Sequence, residues 1–195
     1  MSYRQRQALA TRERIAAAAR SLFAERGYVA TTIEAIAAAA GVAVPTVYSA
    51  FGSKRAILEE IRRLWIEQAE VQPLAAQALA EPDLGRRLEL AARMHRQQLE
   101  RGWDVVTIYQ QAALADAAMA TVRGRVLAGR EAEIRKFIKA LEAGLKPGVD
   151  VQAAMDIWIA VESQDVYHEL VVNRRWSPAR YEAWLADTLK HHLLG

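Results

Sequence analysis

Residues 14–58 read RIAAAARSLFAERGYVATTIEAIAAAAGVAVPTVYSAFGSKRAIL, and glycines separate their alanine-rich segments. In the first segment, apolar residues recur at positions i, i+3, i+4, i+7 and i+8, as they do on one face of an amphipathic helix. These residues are Ile15, Ala18, Ala19, Leu22 and Phe23. The pattern predicts a helix over residues 8–26 that ends before Gly27, because glycine readily adopts the backbone conformation found at a helix C-terminus.

Two short helices are predicted next. Thr31 or Thr32 followed by Glu34 is typical of a capping box, so a helix is expected to start here and to end at the next glycine. Pro45 is favoured in the first turn of a helix, which predicts another helix over residues 44–50. Two short helices joined by a turn that contains glycine form a helix-turn-helix, which presents its second helix to the major groove of DNA.

The rest of the chain is predicted to be helical as well. Glycine and proline are few, at 10 and 5 of 195 residues, and hydrophobic residues make up 52%, enough to bury a core. The predicted helices span residues 54–71, 83–101, 103–118, 120–143, 151–173 and 178–193. We therefore expect an all-α protein of about nine helices, with a helix-turn-helix DNA-binding domain over residues 1–60 and a helical effector-binding and dimerisation domain over residues 61–195.

Composition narrows the class of protein. The chain has no cysteine, which excludes disulfides, thiolate metal sites and a cysteine nucleophile. Residues 1–55 carry eight basic and three acidic side chains, a net charge of +5, whereas residues 56–195 carry a net charge of −2. This asymmetry is typical of a head that binds a polyanion, although ordinary surface charge accounts for it equally well.

Neither a secretion signal nor a membrane span is predicted. The N-terminal residues are charged and no apolar run follows them. Residues 35–53 carry no charge, but Gly41, Pro45 and Gly52 interrupt them. A cytoplasmic protein without membrane contact is therefore expected.

The start of each short helix is suited to DNA contact. Val44, Pro45 and Thr46 are small enough to approach base edges, and the Tyr48 hydroxyl can reach a phosphate. Lys54 lies at the start of the next helix, where its charge and the helix N-terminus both favour a phosphate. Thr32 has a similar position in the first short helix.

This stretch closely resembles the DNA-binding domain of the TetR (tetracycline repressor-like) family. The residues that carry the resemblance are Arg14, Ile15, Ala18, Ala19, Leu22, Phe23, Gly27, Tyr28, Thr31, Thr32, Ile33, Ile36, Ala37, Ala40, Gly41, Val42, Pro45, Thr46, Val47, Tyr48, Phe51, Gly52, Ser53, Lys54 and Leu58. The resemblance implies DNA contacts from Thr32, Ile33, Val44, Pro45, Thr46, Tyr48 and Lys54. The chain departs from the family at Val44, where a glycine or a long polar residue is common. The resemblance therefore does not determine the operator sequence.

The resemblance also implies that the C-terminal body holds an inducer pocket and forms a homodimer through its last two long helices. Apolar stripes on those helices agree with pairing, although burial within their own domain explains them as well. The expected dimer residues are Trp158, Val161, Tyr181, Trp184, Leu185 and Leu189. Pocket candidates are His95, Trp103, Ile108, Tyr109, Gln110, Leu114, Trp158, Glu162 and Tyr167, with Trp103, Tyr109, Gln110, Trp158 and Glu162 preferred.

The expected function is that of a DNA-binding transcriptional repressor, released from a palindromic operator when a small molecule binds. One alternative is a regulator without a small-molecule effector, switched by a protein or constitutive. A helical-bundle enzyme is a weaker alternative. The sequence has no glycine-rich phosphate loop, HExxH or GxSxG motif, and the adjacent His191 and His192 point in different directions on a helix. No catalytic residue, metal or cofactor is expected.

Overall fold

The computed structural model describes residues 2–195, which fold into α-helices joined by short turns. The helices are Tyr3–Arg26 (α1), Ile33–Ala40 (α2), Val44–Phe51 (α3), Lys54–Gln68 (α4), Val71–Ala80 (α5), Leu84–Ala115 (α6), Ala117–Lys139 (α7), Val151–Val161 (α8), Gln164–Tyr167 (α9) and Pro178–Leu193 (α10). A π-helical segment, His168–Asn173, continues α9. The predicted all-α class is confirmed.

Local capping decides where the first helices begin. The α1 helix starts five residues earlier than predicted, because Ser2 and Gln5 form a capping box. Thr32 is the N-cap of α2 and accepts a hydrogen bond from the Ala35 amide, so Glu34 lacks the position for the reciprocal bond. Thr31 is buried instead and its hydroxyl donates to the carbonyl of Gly27 at 2.8 Å.

Several boundaries in the C-terminal part differ from the predicted ones. The α4 helix ends at Gln68, and Pro73 lies in the first turn of α5, a helix that the sequence pattern does not predict. Proline is tolerated there because the first-turn amides have no partner within the helix. The predicted helix over residues 151–173 is interrupted after Val161 and widens into the π-helical segment.

The described chain forms two compact units. The first contains residues up to Trp65 together with Gly102–Arg125, and the second contains Ile66–Arg101 together with Val126–Gly195. Residues 102–125 therefore pack with the helix-turn-helix, although they lie far from it in the sequence. Within residues 2–195, no single helix combines the length and apolar composition of a membrane span. The α2 and α3 helices reach these values only when taken together, and the chain bends by 103° between them.

In the first unit, α1, α2 and α3 pack against one another over an apolar core. Its fully buried side chains include Ile15, Phe23, Ile36, Ile57, Leu58 and Ile108. The turn between α2 and α3 begins at Gly41, whose φ of 64° lies in the left-handed region that glycine adopts without strain. This glycine allows the sharp change of direction that a helix-turn-helix requires.

A glycine also allows a close approach within the first unit. At Gly102 the backbone of α6 is not helical, and a Cβ atom built there would lie 1.9 Å from Nε1 of Trp65. Trp65, at 7% exposed, is packed on its other sides and has little room to move away. Only glycine therefore lets the indole lie against the backbone at this break.

In the second unit, α8 packs against α10. The Ser177 hydroxyl accepts from the Arg180 amide and Pro178 occupies the first turn, as the sequence predicts for the start of α10. Tyr181, Leu185, Leu189 and Leu193 line one side of that helix, and each is 0% exposed. The core of this unit is thus built on the final helix.

We expect Gly102→Ala to lower the free energy of unfolding by about 2 kcal/mol, because the added methyl group would overlap the Trp65 indole. Gly124→Ala is the matched control. Gly124 lies within α7 with no atom near its Cβ position, so alanine should stabilise the chain by about 0.5 kcal/mol. Thermal and urea unfolding measure both values. Equal effects of the two substitutions would contradict the steric role of Gly102.

Candidate DNA-binding surface and buried polar cluster

The α3 helix buries one face and exposes the other. Val47 is 1% exposed and packs into the first unit, whereas Tyr48 is 51% exposed. The predicted DNA-contact residues all lie on this unit, at α2, at α3 and at the start of α4. Thr32, Pro45 and Tyr48 are exposed, and Ile33, Val44, Thr46 and Lys54 are half-buried. The short side chains at the start of α3 leave the helix narrow enough to approach base edges.

Thr32 keeps a hydrogen-bond donor at the start of α2. Its Oγ1 atom accepts from the Ala35 amide at 3.1 Å, which uses one of the two acceptor sites of the oxygen. The hydroxyl proton is still able to donate to an anion. Together with the amides of the first helical turn, it forms a group of donors suited to a phosphate.

Lys54, which is predicted to contact a phosphate, makes internal contacts within the first unit. Its ammonium group donates to the backbone carbonyls of Tyr28 at 2.7 Å, Thr31 at 2.9 Å and Val29 at 3.3 Å. It also lies 4.5 Å from the centre of the Tyr28 ring. Because an ammonium has three donors, these bonds use all of them. A phosphate contact from Lys54 would have to break one of these hydrogen bonds. Through the three bonds, the side chain ties the α1–α2 loop to α4.

Arg12 holds the C-terminal end of α3. Its guanidinium donates to the carbonyl of Ala50 and lies 4.1 Å from the centre of the Phe51 ring. Glu60 of α4 lies 3.9 Å from it. A cation at the C-terminal end of a helix is favoured by the helix dipole, so this contact stabilises α3 where its carbonyls lack partners.

Two contacts join residues 102–125 to the helix-turn-helix within the first unit. Arg20 of α1 forms a two-pronged ion pair with Asp104, with N–O distances of 2.5 and 2.6 Å. The Tyr109 hydroxyl donates to the carbonyl of Leu58 in α4 at 3.3 Å. Burial raises the pKa of Tyr109 to about 12. Tyr109 is therefore a core residue that positions α4.

The predicted pocket residues fall into two groups. Trp103, Tyr109 and Gln110 belong to the first unit, whereas Trp158 and Glu162 belong to the second and are in direct contact. A groove of about 480 Å³ on the second unit, between α6 and α10, is lined by charged side chains and by none of these five. Its acidic and basic residues largely pair with one another, for example Lys190 with Glu89 at 2.5 Å.

A buried carboxylate organises the interior of the second unit. Glu162, which is 5% exposed, accepts from the Trp158 indole at 2.8 Å and from Arg130 at 2.7 Å. Its other oxygen lies 3.3 Å from Nδ1 of His95. Burial by itself would raise the pKa of Glu162, but His95, Arg130 and the Trp158 indole outweigh it and lower the pKa to about 2. The carboxylate is therefore ionised at neutral pH.

Comparison with known proteins identifies the family. The sequence model described as "Bacterial regulatory proteins, tetR family" matches residues 15–61. The HTH-type transcriptional repressor KstR2 of Rhodococcus jostii (strain RHA1) is 31% identical over 156 residues, which span 73% of this chain and 74% of that protein. The chain belongs to the TetR family. It is accordingly a DNA-binding transcriptional regulator and not an enzyme.

Solved structures share the fold along nearly the whole chain. The fatty acid degradation regulator FadR from Bacillus halodurans has a TM-score of 0.74 and 20% identity, and the match covers 92% of this chain and 94% of that one. A candidate transcriptional regulator from Saccharomonospora viridis, solved with choline, has a TM-score of 0.73 and 21% identity over 94% and 97% of the two chains. The TetR-like architecture thus extends beyond the helix-turn-helix.

Most of the expected dimer residues of this TetR-family chain are core residues of the protomer. Trp158, Tyr181, Leu185 and Leu189 are at most 2% exposed in the single chain. They cannot offer an accessible face to a second copy, because their stripe already packs inside the second unit. Val161 and Trp184 are half-buried. An apolar stripe in the sequence does not show whether it packs inside its own domain or against a second copy of the chain.

The contacts of Arg12 and Arg130 were not predicted in detail. Neither contact has a local signal in the sequence, because the partner of Arg12 lies 38 residues away and that of Arg130 lies 32 residues away. His95 and Glu162 were both among the pocket candidates. Among residues 2–195, no cluster of histidine and acidic side chains has the arrangement of a metal site.

We expect Lys54→Met to lower the free energy of unfolding by about 2 kcal/mol, because three carbonyls lose a charged donor while the apolar stem is kept. Arg55→Met is the control, since this neighbouring side chain is exposed and its loss should change stability by less than about 0.5 kcal/mol. Circular dichroism melting measures both. Unchanged stability of Lys54→Met together with weaker DNA binding would instead assign Lys54 to a phosphate contact.

Proposed function

We propose that this chain is a homodimeric, cytoplasmic repressor that binds a palindromic operator through residues 1–60 and releases it when a small molecule binds within residues 61–195. The observation that carries the DNA-binding part is the fixed presentation of α3. Arg12 of α1 binds its C-terminal end and Lys54 of α4 binds the loop before α2, so these two contacts orient α3 within the unit.

The proposed DNA face consists of Thr32, Ile33, Val44, Pro45, Thr46 and Tyr48. Thr32 and Tyr48 would donate to phosphates, and the small side chains at the start of α3 would contact base edges. Lys54 supports this face from behind. Because α3 has few long polar side chains, phosphate contacts and dimer symmetry would supply much of the affinity.

The proposed homodimer would use the outward faces of α8 and α10. Ile159 is 41% exposed on α8, beside the buried Trp158. Trp184 on α10 is half-buried and stacks edge-on against Trp176 at 6.2 Å. Two copies related by a twofold axis would present two α3 helices to successive major grooves, which requires a palindromic site.

Release by a small molecule is supported by the interior of the second unit and by relatives. An ionised carboxylate held among aromatic rings is the kind of polar feature that fixes a ligand in an apolar pocket. The Saccharomonospora viridis protein of the same fold was solved with choline. An effector would act by favouring a geometry in which the two α3 helices no longer match the operator.

Selection of bound fragments from a random DNA library tests this proposal. We expect enrichment of a palindrome whose half-sites are separated by about 34–36 Å or a multiple of it, because both copies of α3 must lie on one face of the duplex. The size of the complex, from sedimentation, should correspond to an even number of chains. Enrichment of a motif without symmetry, or of none, would contradict the proposal. A selected operator that no compound of a broad screen releases would favour a regulator without a small-molecule effector.

A further inference from the structure

Two buried polar atoms in the second unit have no role in the DNA-binding surface. His95 on α6 is 4% exposed and Tyr181 on α10 is 0% exposed, and their ring centres lie 6.1 Å apart. Among residues 2–195, neither Nε2 of His95 nor the Tyr181 hydroxyl has a hydrogen-bond partner. Because buried polar atoms are nearly always paired, two such atoms on neighbouring rings point to a partner from outside the chain.

The Glu162 carboxylate determines which hydrogen bonds these atoms can form. It lies 3.3 Å from Nδ1 of His95, so Nδ1–H donates to it and Nε2 is the ring nitrogen left without a partner. The Tyr181 phenol keeps its proton at neutral pH, because burial and the charge of Glu162 raise its pKa. The pair therefore offers an unpartnered ring nitrogen and a hydroxyl donor.

A hydroxyl group satisfies both atoms at once, because it can donate to Nε2 or accept from it while it accepts from the phenol. A carbonyl or ether oxygen can only accept. A carboxylate would bring a second negative charge beside Glu162, and an ammonium would bring a positive charge near Arg130, which already neutralises that carboxylate at 2.7 Å. The complementary group is neutral.

The surroundings of the pair are aromatic. Tyr167 packs edge-on against Tyr181 at 4.9 Å, and Trp184 lies 5.8 Å from Tyr181. Trp176 continues this row of rings toward half-buried positions. The π-helical segment His168–Asn173 begins directly after Tyr167, and such widened turns often occur at functional sites. The remainder of a bound molecule would thus meet apolar rings.

We propose that His95 and Tyr181 anchor the hydroxyl group of an effector whose remainder is apolar, that is, an alcohol or a phenol. This inference rests on the function proposed above, because it places the effector of that function in the second unit. Glu162 accepts from Nδ1–H of His95 and, held in turn by Arg130, positions the imidazole ring.

Phenol and benzene are the probes, because they differ by one hydroxyl. The full chain, without DNA and with ¹⁵N-labelled histidine, is titrated with each. We expect phenol to bind with a Kd of about 1 mM, about tenfold more tightly than benzene, and to shift the Nε2 resonance of His95. Equal affinities, or no saturable binding of phenol, would overturn the proposal.

Tyr181→Phe separates the anchor from the fold. It should weaken phenol binding about fivefold, leave benzene binding unchanged and leave the melting temperature unreduced, since the deleted hydroxyl has no partner among residues 2–195. Tyr109→Phe is the control: its hydroxyl bonds to Leu58, so it should lower the melting temperature and leave phenol binding unchanged. Equal loss of phenol and benzene binding in Tyr181→Phe, or marked destabilisation, would contradict the site.

The two proposals fail in different ways. Phenol that binds as expected but leaves the selected operator bound would contradict release by an effector and support the anchoring site. A compound without a hydroxyl that releases DNA equally well from the natural chain and from Tyr181→Phe would contradict the anchoring site and support release.

Discussion

The three hydrogen bonds from the Lys54 ammonium to the α1–α2 loop are the contact on which the DNA-binding surface depends. They join the first residue of α4 to the carbonyls of Tyr28, Val29 and Thr31, directly before the N-cap of α2. Those carbonyls follow the end of α1 and have no helical partner, so a charged donor there is worth more than a neutral one. The position of α2, and through the Gly41 turn that of α3, follows from this contact.

The same unit shows how a small helix-turn-helix is held by residues distant in the sequence. Arg12 binds the end of α3, Arg20 pairs with Asp104, and Tyr109 bonds to α4. Residues 102–125 are thus part of the compact unit that carries the DNA surface. Within this unit, a displacement of residues 102–125 would act directly on α1 and α4.

Local patterns predict the helix-turn-helix well because its signals are local. Glycines end helices, Thr32 and Pro45 mark where helices start, and the apolar period identifies the buried face. Long-range contacts leave no such trace. The sequence places a cation at Lys54 but does not show that three carbonyls surround it, and the apolar stripe of α10 predicts burial without telling whether its own domain or a second copy covers it. The network of His95, Arg130 and Glu162 joins three helices, so no pattern along one segment reveals it.

The central claim is that the exposed face of α2 and α3 contacts DNA while Lys54 keeps its internal bonds. An NMR titration of the ¹⁵N-labelled full chain with its selected operator tests it most directly, with a scrambled duplex of equal length as reference. The account predicts the largest operator-specific shift changes at residues 32–33 and 44–48, and an unchanged ammonium resonance for Lys54. Unchanged amide signals at residues 44–48, or a Lys54 ammonium that moves on binding the operator, would contradict it.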